Sequence, residues 1–233
     1  MIISSNYKFV FVHIPKTAGL SVTDAMGKYG RPKGRNIWRS LSRRLPLREG
    51  PEKAHFRVHE PASKIVEKLG RPIFDSFLSF SVIRNPFDHA VSHYEYMKQF
   101  RISSVAQKVG KMSFAEYLEY RILPPSGRDT VFARLPDQTY FLTDKSDQIV
   151  VDRLLRFDNI QKDLGDLAEE LKLPDFAMRH LNKTQSKSSK RPFQDYYDTA
   201  TEAAVREIYS RDFDSLGFDT KIPPLVPHEK STE

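Results

Sequence analysis

The chain has 233 residues, 39% of them hydrophobic and 29% charged, with a net charge of +7 and no cysteine. That length and composition suit one well-cored globular domain rather than a disordered or fibrous chain. The missing thiols exclude disulfides and thiolate catalysis, and no apolar run approaches the ~20 residues of a membrane span.

The N-terminus, Met1-Ile-Ile-Ser-Ser-Asn6, lacks the basic region of a cleaved signal peptide and runs almost directly into a strand, so a cytoplasmic location is expected. The run from Phe9 to Ile14 is apolar and breaks at Pro15 into a short loop containing Gly19. Val22, Ala25, Met26 and Tyr29 then recur at helical spacing. The order is strand, loop, helix N-terminus, with Lys16 and the hydroxyls of Thr17 and Ser21 in or beside the loop. Unpaired N–H groups, the positive end of a helix dipole and a lysine make such a loop a candidate anion cradle. A bare strand-to-helix turn is the alternative. The order is not that of a Walker A loop, where glycine precedes the Lys-Ser/Thr pair; here Gly19 follows Lys16-Thr17.

Residues 31–57 carry nine basic side chains against Glu49 and Glu52, an excess equal to the net charge of the whole chain. Such a segment attracts a polyanion or an acidic membrane surface, or is simply a solvated loop. Trp38, Leu41 and Leu45 suggest a short amphipathic helix within it. A helix is expected from Pro61 to Leu69, stopped by Gly70, and a second buried strand from Phe77 to Ile83. That strand ends at Arg84-Asn85-Pro86, where Asn85 suits an N-cap and Pro86 the first helical position. Phe87, Ala90, Val91, Tyr94 and Met97 give the following helix its apolar stripe.

Ser113 to Glu116 forms a capping box for a helix through about Tyr120, and Gln148 to Asp152 opens an expected third strand reaching toward Phe157. Ile160, Leu164, Leu167, Ala168 and Leu171 mark a helix after it. Residues 181–192 read as a polar, basic loop. Thr199 to Glu202 reads as a further capping box, for a helix carrying Val205, Ile208, Tyr209 and Phe213. Strands alternating with helices point to an α/β, P-loop-like three-layer domain with a mostly parallel sheet flanked by helices. It should occupy residues 1–220 as a single domain, with residues 221–233 as a tail. Ligands in such sheets sit beyond the C-terminal strand ends, where Lys16 and Arg84 both lie.

The stretch His13-Ile-Pro-Lys-Thr-Ala-Gly-Leu-Ser21 resembles the 5′-phosphosulfate loop of sulfotransferases, particularly the carbohydrate group that includes heparan sulfate 2-O-enzymes. Arg84-Asn-Pro followed by Ser92 is similar to that family's 3′-phosphate motif, and Val58-His59-Glu-Pro to its histidine segment. Later matches at Asp137–Tyr140, Val151–Ile160, His180–Thr184 and Tyr209–Phe218 extend the resemblance over nearly the whole chain. The resemblance implies 3′-phosphoadenosine 5′-phosphosulfate (PAPS) as co-substrate, without a metal. It places Lys16 at the leaving group, Thr17 and the backbone of Ala18, Gly19, Leu20 and Ser21 on the phosphosulfate, and Arg84 with Ser92 on the 3′-phosphate. His59 becomes the general base, with His55 as runner-up, and the loop around Thr184, Ser186 and Lys187 closes over the nucleotide. Three departures stand out: Leu20 replaces a frequent Thr, His89 a frequent Arg and Phe218 a frequent Tyr.

The acceptor implied by the resemblance is a hydroxyl on a carbohydrate, and the charge of residues 31–57 points to an acidic glycan or glycolipid. Small alcohols and tyrosine hydroxyls are the alternatives, and no role for nucleic acid is expected. Peripheral membrane contact through the basic segment is compatible with this. One rival is a P-loop kinase using ATP and Mg²⁺, which needs a metal-holding Asp at a strand end where this chain has Arg84. The other is a non-enzymatic polyanion binder, which leaves Lys16, His59 and Arg84 without a joint purpose. The i, i+4 histidine pairs at 55/59 and 89/93 have the spacing of metal ligands but no accompanying pattern.

Overall fold

The computed structural model describes residues 1–30, 48–123, 135–177 and 191–225. In chain order the elements are strand β1 (Ile2–Ser4), β2 (Phe9–Val12), helix α1 (Gly19–Met26), α2 (Ala62–Leu69), α3 (Arg71–Phe74), β3 (Leu78–Ile83), α4 (Pro86–Met97), α5 (Ser103–Gly110), α6 (Phe114–Ile122), α7 (Thr139–Leu142), β4 (Arg153–Arg156), α8 (Ile160–Glu170), α9 (Thr199–Ile208) and α10 (Ser210–Leu216). They divide into two compact units, residues 1–84 with 137–183 and residues 85–136 with 184–233. No helix of the described residues is long and apolar enough to cross a membrane.

The first unit is α/β. Its sheet has the order β1-β2-β3-β4, with β2, β3 and β4 parallel and β1 antiparallel to β2. The sheet is therefore mixed, and the mostly parallel expectation holds for three of its strands. The antiparallel edge follows from a turn of only four residues between Ser4 and Phe9, too short for the crossover that a parallel pair requires. One sheet face buries Phe9, Phe11, Phe80, Val82 and Leu155 beneath Val22 and Met26 of α1 and Ile160, Leu164 and Leu167 of α8. Each fully buried ring there contributes about 1.5–3 kcal/mol. Val10, Val12 and Ile83, alternating with these, are buried too, as are Ser79 and Ser81, so β2 and β3 are covered on both faces, and β2 reads as an unbroken apolar run.

Two sequence expectations shift in this unit. Gln148 to Asp152 is not strand; β4 begins only at Arg153. The Asp152 carboxylate accepts from the Ser79 amide (2.8 Å) and hydroxyl (2.7 Å), and the Asp152 amide donates to the same hydroxyl (3.0 Å). These side-chain bonds stand where ladder bonds would be. Upstream, Ile149 forms an isolated bridge with Thr143 instead. The helix from Pro61 is as expected, with Pro61 as N-cap and Gly70 in a positive-φ conformation (82°) at its end.

The second unit is helical. The Asn85 side chain accepts from the Phe87 amide at 2.9 Å, and Pro86 occupies the first turn of α4. The apolar stripe of α4 packs with Val109, Phe114, Tyr117, Leu118, Val205 and Tyr209. The capping box at Ser113 forms as read, and α6 runs to Ile122. At α9 the box lies one residue earlier than read, on Asp198 with Thr201, because the Asp198 carboxylate reaches the Thr201 amide at 2.8 Å. The helix expected through Phe213 breaks at Tyr209, whose hydroxyl accepts from Arg121 Nη1 (2.8 Å) and lies 3.1 Å from His89 Nδ1. Arg121 Nη2 also donates to the Leu135 carbonyl (2.7 Å). The expected amphipathic helix at Trp38–Leu45, and most of the basic segment, lie outside the described residues, as do residues 226–233 of the expected tail.

Candidate functional site

The site is built at the C-terminal end of β2. The chain leaves the strand at Val12 and enters α1 at Gly19, and two non-glycine residues between them adopt left-handed backbone, Lys16 (φ 67°) and Ala18 (φ 60°). Each costs about 1–2 kcal/mol, so the loop holds strain at the position of the candidate cation. Thr17 is fully buried and its hydroxyl donates to the Ile14 carbonyl at 3.0 Å, bracing the loop from inside. Ser21 and Val22 both donate their amides to the Ala18 carbonyl, closing the first turn. That turn makes no such use of the Gly19 and Leu20 amides, which lie at the positive end of α1. The Leu20 side chain is 84% exposed.

Gly19 is required by proximity rather than by backbone angle. A Cβ there would sit 1.6 Å from Nε2 of His13, so the imidazole lies directly beneath the glycine. His13 is 5% exposed and stacks on Phe11, with ring centroids 5.4 Å apart, and its buried Nδ1 has no hydrogen-bond partner among the described residues. Burial and the neighbouring His59 lower its pKa to about 3, so it is a neutral floor for the loop.

His59 sits at the surface with its ring against that floor, 4.3 Å from the His13 ring. Its Nδ1 is 3.0 Å from the His13 carbonyl oxygen. A carbonyl only accepts, so Nδ1 carries the proton and Nε2 presents a lone pair. Desolvation lowers the His59 pKa from its ordinary 6.5, against the opposing pull of that hydrogen bond, which keeps the ring neutral near pH 7. His55, the alternative base, is half-buried 3.9 Å from Glu49.

Arg84 follows the last residue of β3. Its Nη1 donates to the Lys16 carbonyl at 3.0 Å, and its guanidinium lies 4.1 Å from the centroid of the Phe157 ring. The strand register explains the stack: Ile83 pairs with Arg156, so Arg84 and Phe157 are the next residues on neighbouring parallel strands. Burial, with Arg84 nearby, lowers Lys16 to about 8, so its ammonium is charged at neutral pH and can lose its proton in mild alkali. Lys16, His59 and Arg84 thus all belong to the first unit, and Lys16 and Arg84 are directly joined.

Ser92 lies in the second unit, half-buried on α4, three residues beyond the fully buried His89. His89 lies against Tyr209 and His93 against the Tyr117 hydroxyl, so each member of that histidine pair has a partner in the helical core. Thr184, Ser186 and Lys187 lie outside the described residues. Sequence reading passed over three contributors, His13, Gln138 and Phe157. The signal for His13 was its place beside Pro15-Lys16, and Gln138 lay in a motif with no role attached to it.

A family model described as "Sulfotransferase family" matches residues 1–219. The chain is also similar to an uncharacterized protein of Archaeoglobus fulgidus, 25% identical over 115 residues that span 49% of this chain and 84% of that protein. No solved structure matches it.

Proposed function

From the premise that this chain belongs to the sulfotransferase family, we propose that it moves a sulfuryl group from PAPS to a hydroxyl, on a carbohydrate acceptor. The observation that carries this reading is a strained strand-to-helix loop whose lysine is bonded to an arginine at the adjacent strand end, together with an imidazole, packed on the ring beneath that loop, whose proton-bearing nitrogen is fixed.

In-line sulfuryl transfer needs charge stabilisation at the leaving oxygen and a group that accepts the acceptor's proton. Lys16 supplies the positive charge where the sulfur–oxygen bond to the 5′-phosphate breaks, and the amides of Gly19 and Leu20 add donors. His59 Nε2 takes the hydroxyl proton as the acceptor oxygen bonds to sulfur. Arg84, whose planar fork suits phosphate, and Ser92 hold the 3′-phosphate. The excess of basic residues in the sequence between Arg31 and Arg57 favours an acidic glycan or glycolipid.

Calorimetry with 3′-phosphoadenosine 5′-phosphate, adenosine 5′-phosphate and ATP, without and with Mg²⁺, tests the donor half. Metal-independent binding that requires the 3′-phosphate and is lost in Arg84→Ala supports it. Preference for ATP with Mg²⁺ overturns it in favour of a kinase. Transfer of labelled sulfate to a panel of glycans and glycolipids tests the acceptor half.

A further inference from the structure

The backbone of Arg84 is gripped by a side chain from a distant part of the chain. Gln138 Oε1 accepts from the Arg84 amide at 2.8 Å, and Gln138 Nε2 donates to the Arg84 carbonyl at 2.8 Å. Both polar ends of one carboxamide are spent on a single residue at the point where β3 ends and no further strand pairing fixes the chain. Gln138 has no solvent exposure. It is the N-cap residue of α7, the preceding Asp137 carboxylate accepts from the Tyr140 amide at 2.7 Å, and Phe141 and Leu142 bury behind it.

A buried carboxamide needs partners for both ends, and a neighbouring strand or a helix cap would have supplied them more locally. Here both partners belong to the residue whose guanidinium lies 4.1 Å above Phe157 and donates to the Lys16 carbonyl. The grip fixes the Arg84 backbone, the ring supports one face of its guanidinium, and the Lys16 carbonyl holds one nitrogen. Three independent restraints converge on one cation.

We propose that Gln138 and Phe157 are positioning residues that act through Arg84, setting its guanidinium for a phosphate ester. This rests on the reading of Arg84 as the 3′-phosphate ligand. Gln138 has no solvent exposure and so acts only through the residue it holds. Loss of either positioning residue therefore lowers the preference for a 3′-phosphate without weakening the rest of the nucleotide contact.

The test is calorimetric binding of 3′-phosphoadenosine 5′-phosphate and of adenosine 5′-phosphate to the full chain, with thermal melts as a check on folding. The proteins are wild type, Arg84→Ala, Gln138→Ala and the double variant. Gln138→Ala is expected to cut the preference for the 3′-phosphate about tenfold, the lower end of what a hydrogen bond to a charged group is worth. Affinity for adenosine 5′-phosphate should stay within about twofold, and the double variant should lose no more preference than Arg84→Ala alone. If Gln138→Ala melts below the assay temperature, Gln138→Met, which keeps the volume and removes both bonds, and Phe157→Leu carry the same comparison. Wild-type preference in folded Gln138 variants overturns the proposal, as does a cost that persists undiminished in the Arg84→Ala background. Failure of the underlying reading is seen elsewhere, in a wild-type protein with no preference or an Arg84→Ala protein that keeps it.

Discussion

Arg84 Nη1 donates a 3.0 Å hydrogen bond to the backbone carbonyl of Lys16, so the two cations are linked through a dipole that favours the guanidinium rather than facing each other bare. Lys16 has left-handed backbone, and this bond is one of the contacts that hold its peptide in place. Arg84 also helps lower the Lys16 pKa, after burial. Arg84→Lys keeps a positive charge but loses the planar fork that reaches carbonyl and phosphate together. It should weaken binding of 3′-phosphoadenosine 5′-phosphate by ~10- to 100-fold, read by calorimetry. Arg84→Met should raise the Lys16 pKa above 8, seen as slower amine labelling at pH 8.

The acid–base assignment gives a pH profile with known signs. His59 must be neutral to accept a proton, and its pKa lies below the ordinary 6.5, so kcat/KM for labelled-sulfate transfer should rise with pH on the acid side and level off before neutrality. Lys16 must be charged, so activity should fall as pH passes about 8. His59→Ala should cost ~10²- to 10⁴-fold in kcat and erase the acid limb. Lys16→Arg should erase the alkaline limb, because guanidinium does not titrate there. An acid limb that persists in His59→Ala would move the base to another residue.

Much of this site could be read from sequence because its signals are local. The strand, the loop at Lys16 and the Asn85-Pro86 helix start are short-range patterns of apolar run, breaker and cap, and they form where expected. What escaped depends on contacts between distant segments. Gln138 reaches Arg84 across 54 residues, and Phe157 meets it only because Ile83 pairs with Arg156. Asp152 displaced the expected start of a strand by the same kind of long-range bond, to Ser79. The loop glycine was visible but its purpose was not, since the close partner is a ring from the preceding strand end.

That ring makes Gly19 a sharp test of the loop. Gly19→Ala places a methyl group 1.6 Å from His13 Nε2, so either the ring or the loop must move. Overpacking of this kind costs about 1–3 kcal/mol, and displacement of His13 also shifts the carbonyl that orients His59. Urea unfolding should show the lost stability, and kcat should fall further than stability alone explains. In the His13→Ala background the methyl group has room, so the substitution should cost much less there. Equal costs in both backgrounds would mean that His13 does not set the loop.

His13 should also leave a mark on stability against pH. Its folded pKa is about 3 and its ordinary value 6.5, so the unfolded chain binds a proton between those values while the folded protein does not. Stability associated with this group is present above pH 6.5 and is lost as pH falls toward 3. Two units below the unfolded value, at pH 4.5, the loss is about 2–3 kcal/mol. Urea unfolding of wild type and His13→Gln at pH 7 and pH 4.5 isolates it, because the amide does not titrate and every other group is common to both proteins. The drop in stability between the two pH values should be smaller in His13→Gln by about that amount. Equal drops would mean that His13 accepts a proton in the folded protein, and its role as a neutral floor beneath Gly19 would be wrong.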